Sequence, residues 1–316
     1  MATLDIEIDI EISEVGPRDG LQSIAPIMRT DDKKNWITAL AAAGLPEIEV
    51  GSFVPAKLLP QLADTAELVK HAKSIAGLKV AVLVPNLRGA QNALAAGAHK
   101  MTIPLSVSET HSLKNLNRTH AQVLAEVREI RAAIDALPVA EQPKLEGSLS
   151  TAFGCTLEGV IPEAKVLEMA EKLIAAGCDE VGLSDTTGFA NPVQVRDYTR
   201  KIWEVVGTER LTGIHLHNTR GQGLANVMAA LDVGLTTIDA SMGGIGGCPF
   251  APGASGNIVT EDLVFLLESM GLRTGVNFAA LFRAREILAA ALPNVELYGF
   301  TPNAGLPKGF VAATAQ

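Results

Sequence analysis

The sequence predicts an α/β fold, a (β/α)8 TIM barrel with an extra C-terminal helix and an irregular tail. Eight short β-type runs alternate with longer helical segments, which is the pattern of a closed parallel barrel. The first run leads into Gly16-Pro17-Arg18-Asp19-Gly20 rather than a dinucleotide fingerprint, which disfavours the alternative of a doubly wound open sheet. Because no low-complexity linker interrupts the chain, residues 1–316 are predicted to form a single barrel domain.

The predicted strands are mostly rich in Val, Ile or Leu, as a sheet buried under helices requires. In chain order they are Ile8–Val15, Glu47–Phe53, Lys79–Val84, Lys100–Val107, Lys144–Ser150, Glu180–Asp185, Leu211–His217 and Thr237–Met242. Helical spacing of apolar residues marks the segments between them, including Asp31–Ala43, Thr119–Leu137, Pro162–Ala176 and Pro192–Val206.

Glycines mark the ends of several predicted helices. Ala-rich segments end at Gly44, Gly97 and Gly177, each just before a new strand, which is the position of a glycine C-cap. Beyond the eighth unit, Asn277–Leu292 is predicted to form an extra helix. The tail from Pro293 to Gln316 is rich in Gly and Pro and is expected to be irregular.

Composition excludes several classes of partner. The chain is 47% hydrophobic and 19% charged with a net charge of −9, which suits a globular protein with a sizeable core. No long Lys/Arg run is present, which argues against nucleic acid and against a polybasic membrane contact. No stretch is apolar for long enough to span a bilayer. The N-terminus is unlike a signal peptide. Three cysteines, an odd number without metal-finger spacing, favour free thiols and therefore a reducing, cytoplasmic compartment.

Polar residues gather at the predicted carboxyl ends of the strands, where barrel enzymes place their catalytic groups. Strands far apart in the sequence contribute to this set, so their convergence carries more weight than any single member. The set comprises Arg18, Asp19 and Gln22 after strand one, Glu49 on strand two, Asp185 and Thr187 after strand six, His215 and His217 on strand seven, and Cys248 and Asn257 in the loop after strand eight.

Within this set, His215 and His217 are the pair that most specifically indicates a metal site. Two residues apart on one strand, their side chains point to the same face of the sheet. Imidazole nitrogen suits a divalent metal, and Asp19, expected on strand one, would complete a mixed nitrogen and oxygen site. The alternative is that one histidine only caps the strand or bonds to backbone.

Arg18 and two further carboxylates surround this predicted site. Arg18 beside Asp19 is either a turn ion pair or a cation that stabilises a developing enolate. Glu49 and Asp185 follow apolar strands, so each either orients Arg18 or the substrate, or caps a helix.

The segment Gly243–Asn257, GGIGGCPFAPGASGN, is too rich in small residues and proline for a helix or strand. It predicts a shaped active-site loop over the barrel mouth. Cys248 in this loop is expected to face the site, where a thiol can exchange a proton with a carbanion. The alternative, a small buried hydrophobe, fits Cys155 and Cys178 better.

These motifs resemble 3-hydroxy-3-methylglutaryl-CoA lyases, members of a metal-dependent barrel superfamily that also holds Claisen-condensing synthases. EVGPRDGLQ, GIHLHNTRGQGLAN and GGIGGCPFAPGASGNIVTEDL carry the resemblance most strongly, and it extends over nearly the whole chain. The cysteine loop is the most specific element, because the synthases lack it.

The resemblance implies a divalent cation, magnesium or manganese, held by Asp19, His215, His217 and Asn257. It also implies that Arg18 stabilises the thioester enolate and that the Cys248 thiol lies near the reacting carbon. The implied reaction cleaves an acyl-CoA thioester beside a tertiary alcohol, giving acetyl-CoA and a keto acid such as acetoacetate. A homodimer is the expected assembly.

One departure from the family pattern concerns the substrate. Characterised lyases commonly carry Asp-Thr-Tyr-Gly after the second histidine, whereas this chain has Asn218-Thr219-Arg220-Gly221. An added cation there is expected to favour an anionic acyl end or a CoA phosphate, with Lys308 as a second candidate for the phosphate. The sequence therefore does not decide which acyl group the substrate carries. The alternatives are an acyl-CoA/2-oxo acid synthase of the citramalate or isopropylmalate type, and a non-catalytic acyl-CoA-binding barrel.

Overall fold

The computed structural model describes residues 7–246 and 256–315, and its centre is a closed barrel of eight parallel strands. Each strand pairs with the next one along the chain, and the last pairs with the first. The predicted (β/α)8 barrel is confirmed. The strands are β1 Glu11–Glu14, β2 Glu47–Ser52, β3 Lys79–Leu83, β4 Lys100–Ser106, β5 Lys144–Ser150, β6 Glu180–Ser184, β7 Gly213–His215 and β8 Thr237–Ala240.

Strands β1 and β7 are shorter than the sequence predicts at both ends, and the chain leaves their carboxyl ends in two different ways. After β1 the chain winds into a tight π-helical turn over Gly16–Gly20, in which three successive N–H groups donate to the carbonyl of Val15. After β7 the chain leaves its neighbouring strands, and His217 instead forms an isolated antiparallel bridge with Asn257. Both departures occur at the end of the barrel where the predicted site residues lie.

Helices surround the barrel, and four of them match the predicted helical segments to within two residues at each end. Gly44, Gly97 and Gly177 all have positive φ angles, as predicted for glycines that end helices. Within the described residues, no helix is long and apolar enough to cross a membrane. The helices are α1 Thr30–Ala42, α2 Thr65–Lys73, α3 Leu87–Ala96, α4 Glu109–Leu116, α5 His120–Asp135, α6 Glu163–Ala176, α7 Pro192–Val206, α8 Gly223–Val233, α9 Thr260–Ser269, α10 Phe278–Ala291 and α11 Phe300–Ala304.

The C-terminal segment confirms one prediction and corrects another. The extra helix is α10, which packs against α1. It begins after Asn277, whose side chain accepts a hydrogen bond from Ala280 N. The tail, in contrast, is not irregular throughout, because it contains α11 and a 3-10 turn over Ala313–Ala315. Asp262 accepts hydrogen bonds from Phe300 N and Thr301 N at 2.9 and 2.6 Å. An acidic group from α9 therefore stabilises the first turn of a short helix that local spacing did not reveal.

The side chains inside the barrel are unusually polar. Apolar residues of the strands point outward and pack under the helices, whereas the alternate positions face a cavity of about 970 Å³ inside the barrel. Lys100 lies among three inward carboxylates, with Nζ 2.6 Å from Glu146, 3.3 Å from Glu180 and 3.5 Å from Glu47. Parallel barrels more often fill this space with branched apolar side chains. Here the cavity connects the interior with the predicted site.

Trp36 on α1 supports the turn after β1. Its side chain is fully buried, its indole N–H donates to the Met242 sulfur at 3.4 Å, and its ring lies close to Gly16. We expect Trp36→Ala to lower the free energy of unfolding by about 3–5 kcal/mol, because it leaves a large cavity. Val193→Ala, at a position 60% exposed on α7, should change it by less than about 0.5 kcal/mol. Equal urea midpoints for the two variants would contradict this account of the packing.

Candidate active site

Two histidines and one aspartate converge at the carboxyl ends of the strands. His215 ends β7 and His217 follows it, and their Nε2 atoms are 3.1 Å apart. An Asp19 carboxylate oxygen lies 3.9 Å from His215 Nε2 and 4.0 Å from His217 Nε2. Each of the three residues thus offers one ligand atom, and all three atoms lie within 4.8 Å of one another. Two imidazoles and a carboxylate form a suitable donor set for a divalent cation.

The turn after β1 places Asp19 in this cluster, so Asp19 lies beyond the carboxyl end of strand one, as its place after that strand predicts, and not on the strand itself. The turn winds over Gly16–Gly20 and brings Arg18 and Asp19 to the cavity. Two glycines permit this close winding. A Cβ at Gly16 would lie 2.5 Å from a Glu14 oxygen, and one at Gly20 would lie 2.6 Å from the Ile245 side chain. Close packing of this turn therefore fixes the position of the Asp19 carboxylate.

Asn257, the fourth implied ligand, borders the cluster. Its Nδ2 donates to Asp19 Oδ2 at 2.8 Å and to the carbonyl of Ile245 at 3.2 Å. Its buried Oδ1 has no hydrogen-bond partner within residues 7–246 and 256–315. The bridge to His217 fixes the Asn257 backbone beside the histidines. The structure therefore brings all four implied ligands together, with the amide nitrogen of Asn257 towards Asp19.

Arg18 lies between two carboxylates. Its Nε donates to Glu49 Oε2 and its Nη1 donates to Asp19 Oδ1, both at 2.6 Å. Gln22 donates to the same Asp19 oxygen at 2.7 Å. Burial raises the pKa of Glu49 to about 7, although Arg18 acts in the opposite direction. Glu49 thus orients Arg18, which was one of the alternatives open for this residue.

The charges of the cluster suit cation binding. Burial tends to raise the pKa of Asp19, but Arg18, His215 and His217 outweigh it and lower that pKa below its usual value. Burial, together with the neighbouring His215, lowers the pKa of His217 to about 4. Asp19 is therefore ionised and His217 is neutral near pH 7, the states in which each residue can donate an electron pair to a metal.

Asp185 and Arg220 form hydrogen bonds with the backbone of the loop after β6 and do not form part of the cavity wall. Asp185 Oδ1 accepts hydrogen bonds from Phe189 N and Ala190 N at 2.8 and 3.1 Å. The Arg220 guanidinium donates to the carbonyls of Thr187 and Gly188 and lies 4.5 Å from the centre of the Phe189 ring. Neither residue lines the 970 Å³ cavity. Asp185 is also not the N-cap of α7, a position that Asn191 occupies.

The remaining predicted residues differ in position. Lys308 is exposed in the tail and does not line the cavity. Cys248 and most of the predicted loop lie outside the described residues, which resume at Gly256. Cys155 and Cys178 are buried, as predicted for small apolar side chains.

Sequence reasoning missed several polar residues that line the same cavity. Asp239 on β8 contacts His215, and its Oδ2 lies 3.1 Å from His215 Nδ1. Ser148 and Ser184 form a hydroxyl pair at 3.0 Å on β5 and β6. The signal was present in the two-residue alternation of the strands, because inward positions that are polar stand out among apolar neighbours.

The fold and the cluster define a TIM-barrel protein with a candidate divalent-metal centre at the carboxyl ends of its strands. The chain belongs to the HMGL-like family, whose model matches residues 9–288. This confirms the resemblance found in the sequence.

Individual relatives agree with this assignment. The chain is 40% identical over 283 residues to the mitochondrial hydroxymethylglutaryl-CoA lyase of Mus musculus, covering 90% of this chain and 86% of that protein. It is 38% identical to a hydroxymethylglutaryl-CoA lyase of Bacillus subtilis, covering 92% and 97%. An HMG-CoA lyase from Acinetobacter baumannii, solved with coenzyme A and 3-methylmalate, superposes with a TM-score of 0.89 at 38% identity, covering 98% and 99%.

Asp185 gives a test that does not depend on activity. Burial raises its pKa to about 6 from 3.8, so the folded state holds the proton more tightly than the unfolded state and stability falls as pH rises between these values. Asp185→Asn keeps an oxygen for both N–H groups and removes the charge. We expect its stability relative to wild type to improve by on the order of 2 kcal/mol from pH 4 to pH 7.

Calorimetric unfolding of both proteins across this range measures the effect. Asp232→Asn, at an exposed carboxylate that pairs with Arg196 on the outer helices, should change stability by less than about 0.5 kcal/mol. A constant difference between Asp185→Asn and wild type at every pH would show that burial does not disfavour the Asp185 charge.

Proposed function

We propose that this protein is a divalent-metal-dependent carbon–carbon lyase. It cleaves 3-hydroxy-3-methylglutaryl-CoA, or a close 3-hydroxy-3-alkyl acyl-CoA, to acetyl-CoA and a keto acid such as acetoacetate. One observation carries the proposal: Asp19, His215 and His217 converge beside an Arg18 that Glu49 orients, in a chain 40% identical to a hydroxymethylglutaryl-CoA lyase. The intact cluster disfavours a non-catalytic barrel, and the lyase names of the relatives disfavour a synthase.

The residues present fit a divalent cation. The two Nε2 atoms are 3.1 Å apart, so without a cation one imidazole must carry a proton there to avoid placing two lone pairs face to face. A cation held by Asp19, His215, His217 and Asn257 would satisfy both lone pairs, and Mg²⁺ or Mn²⁺ is the proposed ion. When bound, it would act as a Lewis acid on the substrate oxygen and lower the pKa of the hydroxyl.

Arg18 supplies the second stabilising charge. Its Nε and Nη1 are held by Glu49 and Asp19, and none of the hydrogen bonds among the described residues uses its Nη2. In the proposed reaction a base accepts the proton of the C3 hydroxyl, whose oxygen becomes the carbonyl of the keto acid. The adjacent carbon–carbon bond breaks at the same time, and the electron pair of that bond passes into the thioester enolate. A fixed guanidinium beside that oxygen stabilises the negative charge as it develops. Protonation of the enolate carbon then gives acetyl-CoA.

The other site residues take supporting roles in this proposal. Gln22 lines the cavity and donates a hydrogen bond to Asp19, and we propose that it also contacts the substrate. Asp185 acts through the loop after β6. Arg220 and Lys308 are exposed cations, and we propose that they bind the anionic parts of the acyl-CoA. The Arg220 guanidinium is the less mobile of the two, because it contacts two carbonyls and the Phe189 ring. We also propose that the chain works as one catalytic domain and assembles as a homodimer.

The direct test is release of free acetyl-CoA from a panel of 3-hydroxy-3-methyl-dicarboxylyl-CoA esters, with Mg²⁺ or Mn²⁺ present. We expect the highest kcat/KM for 3-hydroxy-3-methylglutaryl-CoA or a close homologue. The absence of acetyl-CoA release from every ester, by a folded protein with bound metal, would contradict the proposed function.

Removal of one imidazole tests the metal centre. His217→Ala should bind Mn²⁺ far more weakly and lose turnover while the protein stays folded, because the barrel does not depend on this side chain for its core. His71→Ala, at a half-buried position on α2 that does not line the cavity, is the matched control. Chelation should abolish turnover of wild type reversibly. Full turnover of His217→Ala after exhaustive chelation would exclude the proposed metal role.

Cys248 stays the predicted proton donor, or the group that positions a donor water. We expect Cys248→Ser to lower single-turnover cleavage on the order of a hundredfold or more with little change in substrate affinity or metal content. Thiol alkylation should inactivate wild type and bound substrate should protect it, whereas the buried Cys155 and Cys178 should react slowly. A cleavage rate for Cys248→Ser within a few-fold of wild type would assign the proton to another group.

A further inference from the structure

Asp239 lies beside one of the two clustered histidines without joining the cluster itself. It is on β8 directly opposite His215 on β7 in the strand register. Its Oδ2 is 3.1 Å from His215 Nδ1, on the far side of the ring from the Nε2 that faces Asp19 and His217. The Asp239 side chain is 29% exposed towards the cavity. The contact is thus built from two neighbouring strands rather than from a loop.

The chemistry of this contact decides which ring nitrogen carries the proton. An ionised carboxylate only accepts hydrogen bonds, so the hydrogen must lie on His215 Nδ1. The neutral ring then carries its lone pair on Nε2. That atom faces Asp19 and His217, which is where a cation would be bound. A contact outside the cluster therefore sets the donor atom inside it.

The second histidine has no such partner. His217 Nδ1 is buried, and no group in the described part of the chain hydrogen-bonds to it. Its Nε2 lies 3.1 Å from His215 Nε2, and its side chain is 4% exposed. The two imidazoles thus differ in how they are fixed, and only His215 has a carboxylate that selects its tautomer.

We propose that Asp239 is the positioning residue of the metal centre, which holds His215 as the Nδ1–H tautomer with its Nε2 lone pair directed at the cation. The proposal rests on the proposed function only in requiring that a divalent cation binds there. Asp239 acts through His215 and is not itself a ligand. Carboxylates in this position also make the imidazole a better donor, and their loss typically weakens metal binding 10- to 100-fold.

Metal affinity gives the first test. Metal-depleted wild type, Asp239→Asn and Asp239→Ala are titrated with Mn²⁺, and free Mn²⁺ is measured by electron paramagnetic resonance. We expect Kd to rise about 10- to 100-fold in both variants, with the larger effect in Asp239→Ala, which retains no acceptor. Asp239→Asn nearly preserves the side-chain volume, so it keeps the comparison valid if the alanine variant folds poorly. Ser13→Ala, the β1 register neighbour of Asp239, is the control for a change inside the barrel and should keep the wild-type Kd.

The tautomer gives a second measurement, which a merely structural role would not change. In metal-free protein, alkaline enough for both rings to be neutral, long-range ¹H–¹⁵N spectra distinguish a protonated Nδ1 from a protonated Nε2. Wild type should show His215 protonated at Nδ1. Asp239→Ala should show a mixture of tautomers or the Nε2–H form, and Ser13→Ala should match wild type.

The outcomes separate this inference from the proposed function. If wild type binds Mn²⁺ and Asp239→Asn and Asp239→Ala bind it within about twofold of wild type, Asp239 is not a positioning residue, although the metal centre stands. An Nε2–H tautomer of His215 in wild type would likewise overturn the inference. If metal-depleted wild type binds no Mn²⁺, the proposed function fails first, and this inference fails with it.

Discussion

The site depends on the two-residue alternation of side chains in a closed parallel barrel. One set of positions points outward and forms the apolar core beneath the helices, so the other set can be polar. Charged groups in that interior must be paired, since an isolated buried charge would cost far more than the fold can offset. Lys100 meets this requirement by contacting Glu47, Glu146 and Glu180 together. Stability therefore comes mainly from the outer layer, and the interior is left as a polar cavity in which a site can form.

The same alternation explains why the site residues come from two kinds of position. Glu49, His215 and Asp239 are inward residues on strands. Pairing fixes the backbone of His215 and Asp239 on both sides, and that of Glu49 on the side of β3. Arg18 and Asp19 are consecutive residues, which a strand would send to opposite faces. Only the tight turn after β1 lets both face the cavity, and there each contacts a residue fixed by a strand. A rigid barrel wall thus holds a locally wound segment in place.

These two kinds of position also decide what the sequence could predict. The barrel, the His215–His217 pair and the longer helices follow from local periodicity, which a chain segment reveals by itself. The turn that carries Asp19 does not, because its winding depends on close packing against Trp36 and Ile245 from distant segments. Asp185 and Arg220 belong to loops, whose side-chain directions follow from no period. The short helix α11 depends on a carboxylate from another helix, so local spacing could not reveal it.

The balance of charge around the cluster gives a reason for its affinity for a divalent cation. Asp19, Glu49 and Asp239 are three carboxylates close to one guanidinium, that of Arg18, and the Arg18 pKa is raised above its usual value by Glu49 and Asp19 although burial opposes this. With both imidazoles neutral, the group has two more negative than positive charges when all three acids are ionised. Burial makes that excess unfavourable, and the pKa of Glu49 near 7 is one sign of it. A divalent cation would cancel the excess, and its charge would in turn lower the pKa of Glu49. Glu49 would then stay ionised and keep Arg18 in place, so cation binding and the orientation of the guanidinium support each other.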